Sequence, residues 1–433
     1  MRSMTPCRSF VHCLAGVLLS LSPGCGSSAT DASAQDMPTA PPSIWQQRSR
    51  VTASTPQAGE QFGMAVALSG DTALIGAPNA IVAGMPAAGA VDVFRFDGNS
   101  LIFQERLTAP IPGAYDGFGS AVAISENRAL IGAYLADRAG GIDTGTAYVY
   151  ERSGGGWLLR QELSPAYGAS NDFFGASVAI ANDSILIGAR GADAAKQDDA
   201  GAAYLFRLTG TSWVEQTKFV ASEATKDAQL GVSVSISGND AMIGAYQARE
   251  MGMAAAGAAY SFDVSAGPGA RLTKLAPVIA APQERFGISL SVFNDTALIG
   301  TYPTDGAGNA TQGTAYVCLR DKGAWSAPQR LTALEILLGA HMGSSVVLSA
   351  ETALVAAPNA ITPSQGAAGA VYLFDRTRSM WSTPQRLTGR ESGYGDQFGA
   401  AVAVHQRVVL IGAFGADVGP AQDAGAAYLF LPN

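Results

Sequence analysis

Along this chain a bulky apolar residue followed by glycine returns at a fixed step, and that regularity limits the fold more than any other feature. Phe62-Gly63 recurs as Phe118-Gly119, Phe174-Gly175, Leu230-Gly231, Phe286-Gly287, Met342-Gly343 and Phe398-Gly399, each about 56 residues after the last. A second mark keeps the same step: Gly76-Ala77-Pro78, Gly132-Ala133-Tyr134, Gly188-Ala189-Arg190, Gly244-Ala245-Tyr246, Gly300-Thr301-Tyr302, Ala356-Ala357-Pro358 and Gly412-Ala413-Phe414. A third is a single glycine, at Gly89, Gly145, Gly201, Gly257, Gly313, Gly369 and Gly425, each opening a short strand such as 201–206. All five tryptophans, Trp45, Trp157, Trp213, Trp325 and Trp381, fall at one position of the repeat, with Leu101 and Gly269 at the other two. Seven similar units follow.

Each unit reads as four short strands. In the first unit, 66–69 and 73–76 are joined by Gly70-Asp71-Thr72, a connection of the kind Gly and Asp favour in hairpins, so the first two strands run antiparallel. The third strand alternates apolar and small residues up to Phe94, and the fourth is of the type seen at 157–163. Its inward position is always apolar: Val51, Leu107, Leu163, Phe219, Leu275, Leu331 and Leu387. Long helical periodicity is absent. Both faces of a unit are apolar, so each must be buried between neighbours. The expected fold is all-β, a seven-bladed β-propeller with four antiparallel strands per blade, an architecture of radial sheets that leaves only short, protected edges. The last unit stops at Asn433 without a fourth strand, while Trp45 to Val51 stands in that register ahead of the first Phe-Gly pair. The N-terminal strand is therefore expected to close the seventh blade by pairing with 427–430.

Phe-Gly followed by Gly-Ala-Pro within one unit resembles the FG-GAP repeats of integrin α-chain propellers and of many bacterial surface proteins, the bacterial variety being the closer match. The resemblance spans about residues 45–431 and implies the propeller; it says little of function, since propellers host many unrelated activities. In calcium-binding integrin units an Asp-x-Asp-x-Asp-Gly type loop joins the first two strands. Here those connections are as short as Gly70-Asp71-Thr72, Glu126-Asn127-Arg128 and Asn182-Asp183-Ser184, and cannot offer the roughly six to eight oxygens calcium takes. Calcium is possible elsewhere, but no cofactor is expected.

The N-terminus reads as an export signal over residues 1–25. Arg2 and Arg8 precede an apolar run from Phe10 to Leu21, short for a membrane span and suited to a signal core. Gly24-Cys25 then resembles a bacterial lipoprotein start, which makes Cys25 the candidate lipidation site, although Leu21 lies four residues before it where three is usual. Ala32-Ser33-Ala34 offers an ordinary cleavage site instead, which would give a secreted protein. Residues 26–43 read as a flexible low-complexity linker and 44–433 as the propeller. Cys7, Cys13 and Cys25 lie in the leader, so Cys318 is left alone in the folded part and no intrachain disulfide can form there.

Net charge of −8 and a pI near 5.0, with no basic stripe, argue against nucleic-acid partners. Loops between strands two and three, and between blades, are the longer ones and share one face, where binding is expected. That face carries Glu60, Asp116, Asp172, Glu284 and Asp396 at one repeat position, and the spaced pairs Asp137 with Asp143, Asp193 with Asp199 and Asp417 with Asp423. The pairs are the candidate ligand- or cation-binding residues; the competing reading is that Asp and Glu satisfy backbone amides in turns. No catalytic residue is assigned. His341 and His405 lack partners at metal spacing, no Gly-x-Ser-x-Gly elbow or phosphate loop occurs, and Cys318 reads as core because other units carry Phe206 or Tyr150 there.

The expected function is a non-catalytic, monomeric binding protein of the cell envelope, its partner an unknown protein or glycan and its membrane contact a lipid on Cys25. Two alternatives stand beside it: a hydrolase or lyase acting on polysaccharide or another polymer through loop carboxylates, and a structural scaffold for envelope complexes. Mass measurement of the mature N-terminus is expected to find a lipid-modified Cys25; a free end near Gln35 would contradict the tether.

Overall fold

The computed structural model describes residues 44–302, 313–331, 339–362, 365–377 and 380–433; the expected export signal over 1–25, with Cys25, and the expected linker 26–43 lie outside the described residues. Seven sheets follow one another along the chain, each with strands adjacent in sequence also adjacent in space. Blade one is built from Ala65–Ser69, Thr72–Ala77, Ala90–Phe96 and Leu101–Leu107, all antiparallel. Blades two to six start at Ala121, Phe174, Leu230, Ser289 and Val346. Blade seven takes Ala401–His405, Val408–Ala413 and Ala426–Pro432 from the C-terminal end and Trp45–Val51 from the N-terminal one. Trp45 pairs with Pro432 and Val51 with Ala427, so the two ends of the chain are stitched by backbone hydrogen bonds.

Between blades the repeated marks meet. The apolar member of each pair forms a parallel bridge to the glycine that opens the third strand of the preceding blade: Phe118 to Gly89, Phe174 to Gly145, Leu230 to Gly201, Phe286 to Gly257, Met342 to Gly313 and Phe398 to Gly369. Phe62 closes the circle on Gly425 of blade seven. The bulky side chain is wholly buried at all seven positions, and in six blades it packs with a tyrosine of its own third strand, as Phe398 does on Tyr428 at 5.2 Å. The core is accordingly a succession of layers between blades. Leu74, Val91 and Leu107 of blade one meet Phe118, Ile131 and Tyr148 of blade two, and Leu410 and Leu429 of blade seven meet Phe62 and Ile75 of blade one.

The glycines of the second mark are needed because of how closely these layers approach. A Cβ on Gly132 would stand 2.1 Å from the Gly175 carbonyl oxygen of the next blade, and one on Gly188 would stand 1.9 Å from that of Gly231. Blade six is the exception with Ala356, and there the following seam is looser. A Cβ on Gly399 would lie 3.1 Å from the Ala370 oxygen, against 2.4 Å for the corresponding pair Gly175 and Thr146.

Outer strands are where the units diverge. Four full strands per blade is the rule in blades one, two, three and seven, but in blades five and six the fourth is broken into two short pieces, Ala324–Trp325 with Gln329–Leu331 and Met380–Trp381 with Gln385–Leu387. In blade four the first half of that strand is replaced by a 3₁₀ segment, Val264–Gly269, which carries Pro268 and ends at the glycine standing where other units have tryptophan. Proline cannot donate to a sheet ladder, so only Thr273–Leu275 remains as strand. Cys318 is fully buried in the layer between blades four and five, where desolvation pushes its thiol up to about 12, and it behaves as a core residue.

Substituting Gly132→Ala is expected to lower stability by about 1–3 kcal/mol by forcing two blades apart, whereas Ala356→Gly should cost no more than about 1 kcal/mol. Denaturant midpoints of the two variants compare them; equal losses would show that the seam is not close-packed at Gly132.

Candidate functional site

The long-loop face is built from connections that share a backbone and differ in side chains. In six blades the loop between strands two and three folds back on itself through a small bridge: Val82 with Met85, Arg138 with Gly141, Ala194 with Gln197, Glu250 with Met253, Thr362 with Gly366 and Val418 with Ala421. Just beyond it the chain bonds to the next blade, as in Tyr115 N–H to the Pro86 carbonyl at 2.8 Å and Asn171 N–H to that of Ile142 at 2.9 Å.

The three aspartate pairs clamp these loops. Asp137 accepts the backbone N–H of Asp143 at 2.9 Å, Asp193 that of Asp199 at 3.0 Å and Asp417 that of Asp423 at 3.0 Å. Asp143, Asp199 and Asp423 each sit at a left-handed backbone, φ about 50°, which Asp tolerates better than most residues. Within a pair the structure brings the residues together through one carboxylate oxygen and one amide; no hydrogen bond or ion pair links the pairs of blades two, three and seven among the described residues. Burial and the neighbouring carboxylates of Asp193, Asp227 and Asp198 push the Asp199 carboxyl above its ordinary range. Among the described residues no three His, Cys, Asp or Glu side chains converge to hold a metal.

The single acidic position has a different role. Glu60, Asp116, Asp172, Glu284 and Asp396 are all buried. Four of them accept an amide from three residues upstream: Gln57, Gly113, Ala169 and Gly393, at 2.9, 3.1, 2.9 and 2.8 Å. Each also looks toward a third-strand position, which is tyrosine in six units and Asp92 in the first. A cation completes the set from the fourth strand or a loop. Arg106 reaches Asp92 at 2.5 Å and Glu60 at 3.5 Å. Arg138 lies 3.9 Å from Asp116 and 2.6 Å from Glu162, and also donates to the Tyr148 hydroxyl. In blade five the Tyr316 hydroxyl donates to Glu284 at 2.6 Å. Burial raises the carboxyls of Glu60, Asp92, Asp116, Asp172 and Asp396, and the facing cations Arg106, Arg138, Lys218 and Arg50 offset part of that rise. These carboxylates are thus held inside the blades and engaged there.

Sequence reasoning missed this network. Its signal was present, because the position before the inward apolar residue of the fourth strand reads Arg50, Arg106, Lys218, Lys274, Arg330 and Arg386 in six units, and Glu162 in the seventh. Asp92, alone at a tyrosine position, was the second sign.

Further concavities lie outside the aspartate clamps. The central channel, lined by first strands from every blade, holds about 240 Å³ among Val66, Val122, Ser177, Ser233, Ser289 and Val402 and similar uncharged residues. A wider pocket of about 740 Å³, lined among others by Phe262, Lys274, Arg320 and Trp325, opens between the outer edges of blades four and five, where the half-strand is missing.

A family model for the FG-GAP repeat matches residues 45–94, 102–150, 157–206, 213–262, 271–318 and 381–430, more than half of the chain. Each matched stretch begins in or just before the outer strand of one blade and ends in the third strand of the next. The unmatched interval holds Met342 and Ala356 in place of the usual phenylalanine and glycine. No curated protein matches the chain.

Carboxyls raised by burial bind protons more tightly in the folded than in the unfolded chain. Between those raised values and the ordinary carboxylate range, near pH 4, stability therefore rises as pH falls. Melting temperature is expected to increase as pH falls from neutrality toward that ordinary range, and a Glu60→Gln, Asp396→Asn double variant to show a flatter rise. A melting temperature falling steadily over that interval would contradict the assignment.

Proposed function

The chain belongs to the FG-GAP repeat family, and from that premise we propose that it is a non-catalytic binding protein, exported and tethered through Cys25, that recognises a surface protein or glycan with its long-loop face. The observation that supports this most is the shared backbone of the loops. Bridged in six blades and clamped by an aspartate in three, they keep a similar backbone while their exposed positions change from Ile81 to Asp137, Asp193, Arg249 and Asp417. Rigid loops with varied exposed chemistry lose little entropy when they bind, which favours recognition over a surface of moderate size.

Site-directed blocking tests this. Ala139→Cys places a thiol on an exposed long loop and Asn99→Cys one on an exposed connection of the opposite face; each is coupled to a polyethylene glycol maleimide, while the buried Cys318 is spared. Binding to glycan and envelope-protein arrays is expected to be lost with the first conjugate and kept with the second. Retention with the first, or turnover of an array component, would contradict the proposal.

A further inference from the structure

The residue just before each Phe-Gly pair has a left-handed backbone, φ between 55° and 68°, at Gln61, Gly117, Phe173, Gln229, Arg285, His341 and Gln397. Gly117 shows that glycine serves there, yet six blades keep a side chain at a conformation that disfavours one. Each of these residues stands three positions ahead of the next, channel-facing part of the chain, as Phe173 does before Ala176 and Arg285 before Ile288. They therefore ring the entrance of the central channel on the long-loop face, together with the residue that follows each Gly-Ala mark.

Across this entrance two guanidiniums lie against aromatic rings. Arg190 stands 4.7 Å from the Phe173 ring centre and 5.8 Å from that of Tyr134, two rings that are themselves 6.0 Å apart. Arg285 stands 5.4 Å from Tyr302 and 5.8 Å from Tyr246, and Tyr302 packs on His341 at 4.4 Å. Neither arginine side chain has an ion pair or hydrogen bond among the described residues, unlike Arg106, Arg138 and Arg320, which are engaged by carboxylates. The Nε of Arg285 and the Oε1 of Gln229 are buried without partners. Native structures rarely leave such groups unsatisfied.

A guanidinium held over aromatic rings without a carboxylate partner retains N–H donors, and their planar fork is shaped for a carboxylate. Directly below, the channel is uncharged and lined by small and apolar side chains, so it suits an apolar stem rather than a second charge. We infer that the channel entrance is a binding site for a carboxylate carried on an apolar stem, with Arg190 and Arg285 as its anion-binding groups. The inference rests on the long-loop face being the binding face and names the chemistry recognised there.

Saturation-transfer NMR and calorimetry on the whole chain test it with 3-phenylpropionate against 3-phenylpropionamide, and with acetyl-Phe-Glu-amide against acetyl-Phe-Gln-amide. An acid is expected to bind and its neutral amide to bind about tenfold or more weakly. Arg190→Gln and Arg285→Gln are expected to lose about tenfold each, with the Arg→Lys variants falling between. Preference for the free acid assigns a small-molecule source, and preference for the peptide a protein one. Should a variant fail to melt cooperatively, the acid-against-amide comparison on the unaltered chain decides. No binding by either acid, equal binding of acid and amide, or binding untouched in both folded Gln variants would overturn the inference. Array binding that is still blocked at Ala139 would then leave the wider reading standing, and its loss as well would end both.

Discussion

The parallel bridge between a bulky residue of one blade and a glycine of the blade before it is the contact on which the molecule depends. It joins three requirements at one point: a buried apolar side chain, a backbone hydrogen bond across the seam and a second glycine that lets the layers close to contact. Burial of a phenylalanine contributes about 1.5–3 kcal/mol, and the same arrangement recurs around the ring. A blade removed from its neighbours would expose both apolar faces, so stability belongs to the seams rather than to the sheets. Sharing the seventh blade between the chain ends makes the last seam the same as the others, with Phe62 on Gly425.

Rigidity at the seams has consequences on the long-loop face. Left-handed side-chain positions, loops clamped by an aspartate and buried carboxylate, tyrosine and cation sets all carry a local cost, and each persists because the surrounding blades determine the backbone there. The Arg106 set in blade one is the clearest case. Two fully buried carboxylates, Glu60 and Asp92, share one guanidinium, and removing that partner from a buried pair typically costs about 3–5 kcal/mol.

Much of the fold was legible in the sequence because its period is unbroken. The seven seams, the tight first hairpins and the pairing of Trp45 to Val51 with the last strand all follow from register. The site was legible only in part. That Asp137 and Asp143 belong to one loop is visible from their spacing, but that one carboxylate caps the other's amide depends on a left-handed turn no spacing reveals. The fate of Glu60 depends on Asp92 and Arg106, residues on two other strands of the blade. The broken outer strand of blade four was signalled by Pro268 and by Gly269 at a tryptophan position, and the fourth strands of blades five and six, whose tryptophans are in place, break at Pro328 and Pro384, which carry the same signal. The packing of Arg190 against Tyr134 and Phe173 joins two blades, and only the closeness of the seam explains it.

A cross-link at the closure probes the account most directly. Gln46 and Leu431 face each other across the pair that joins the chain ends, at a Cα separation antiparallel strands and disulfides share, about 4.5–5.5 Å. With Gln46→Cys and Leu431→Cys together, oxidation is predicted to give a disulfide within a single monomer and a higher melting temperature. Thiols that stay reduced, or that link only between molecules, would show that the ring is not closed by its own two ends.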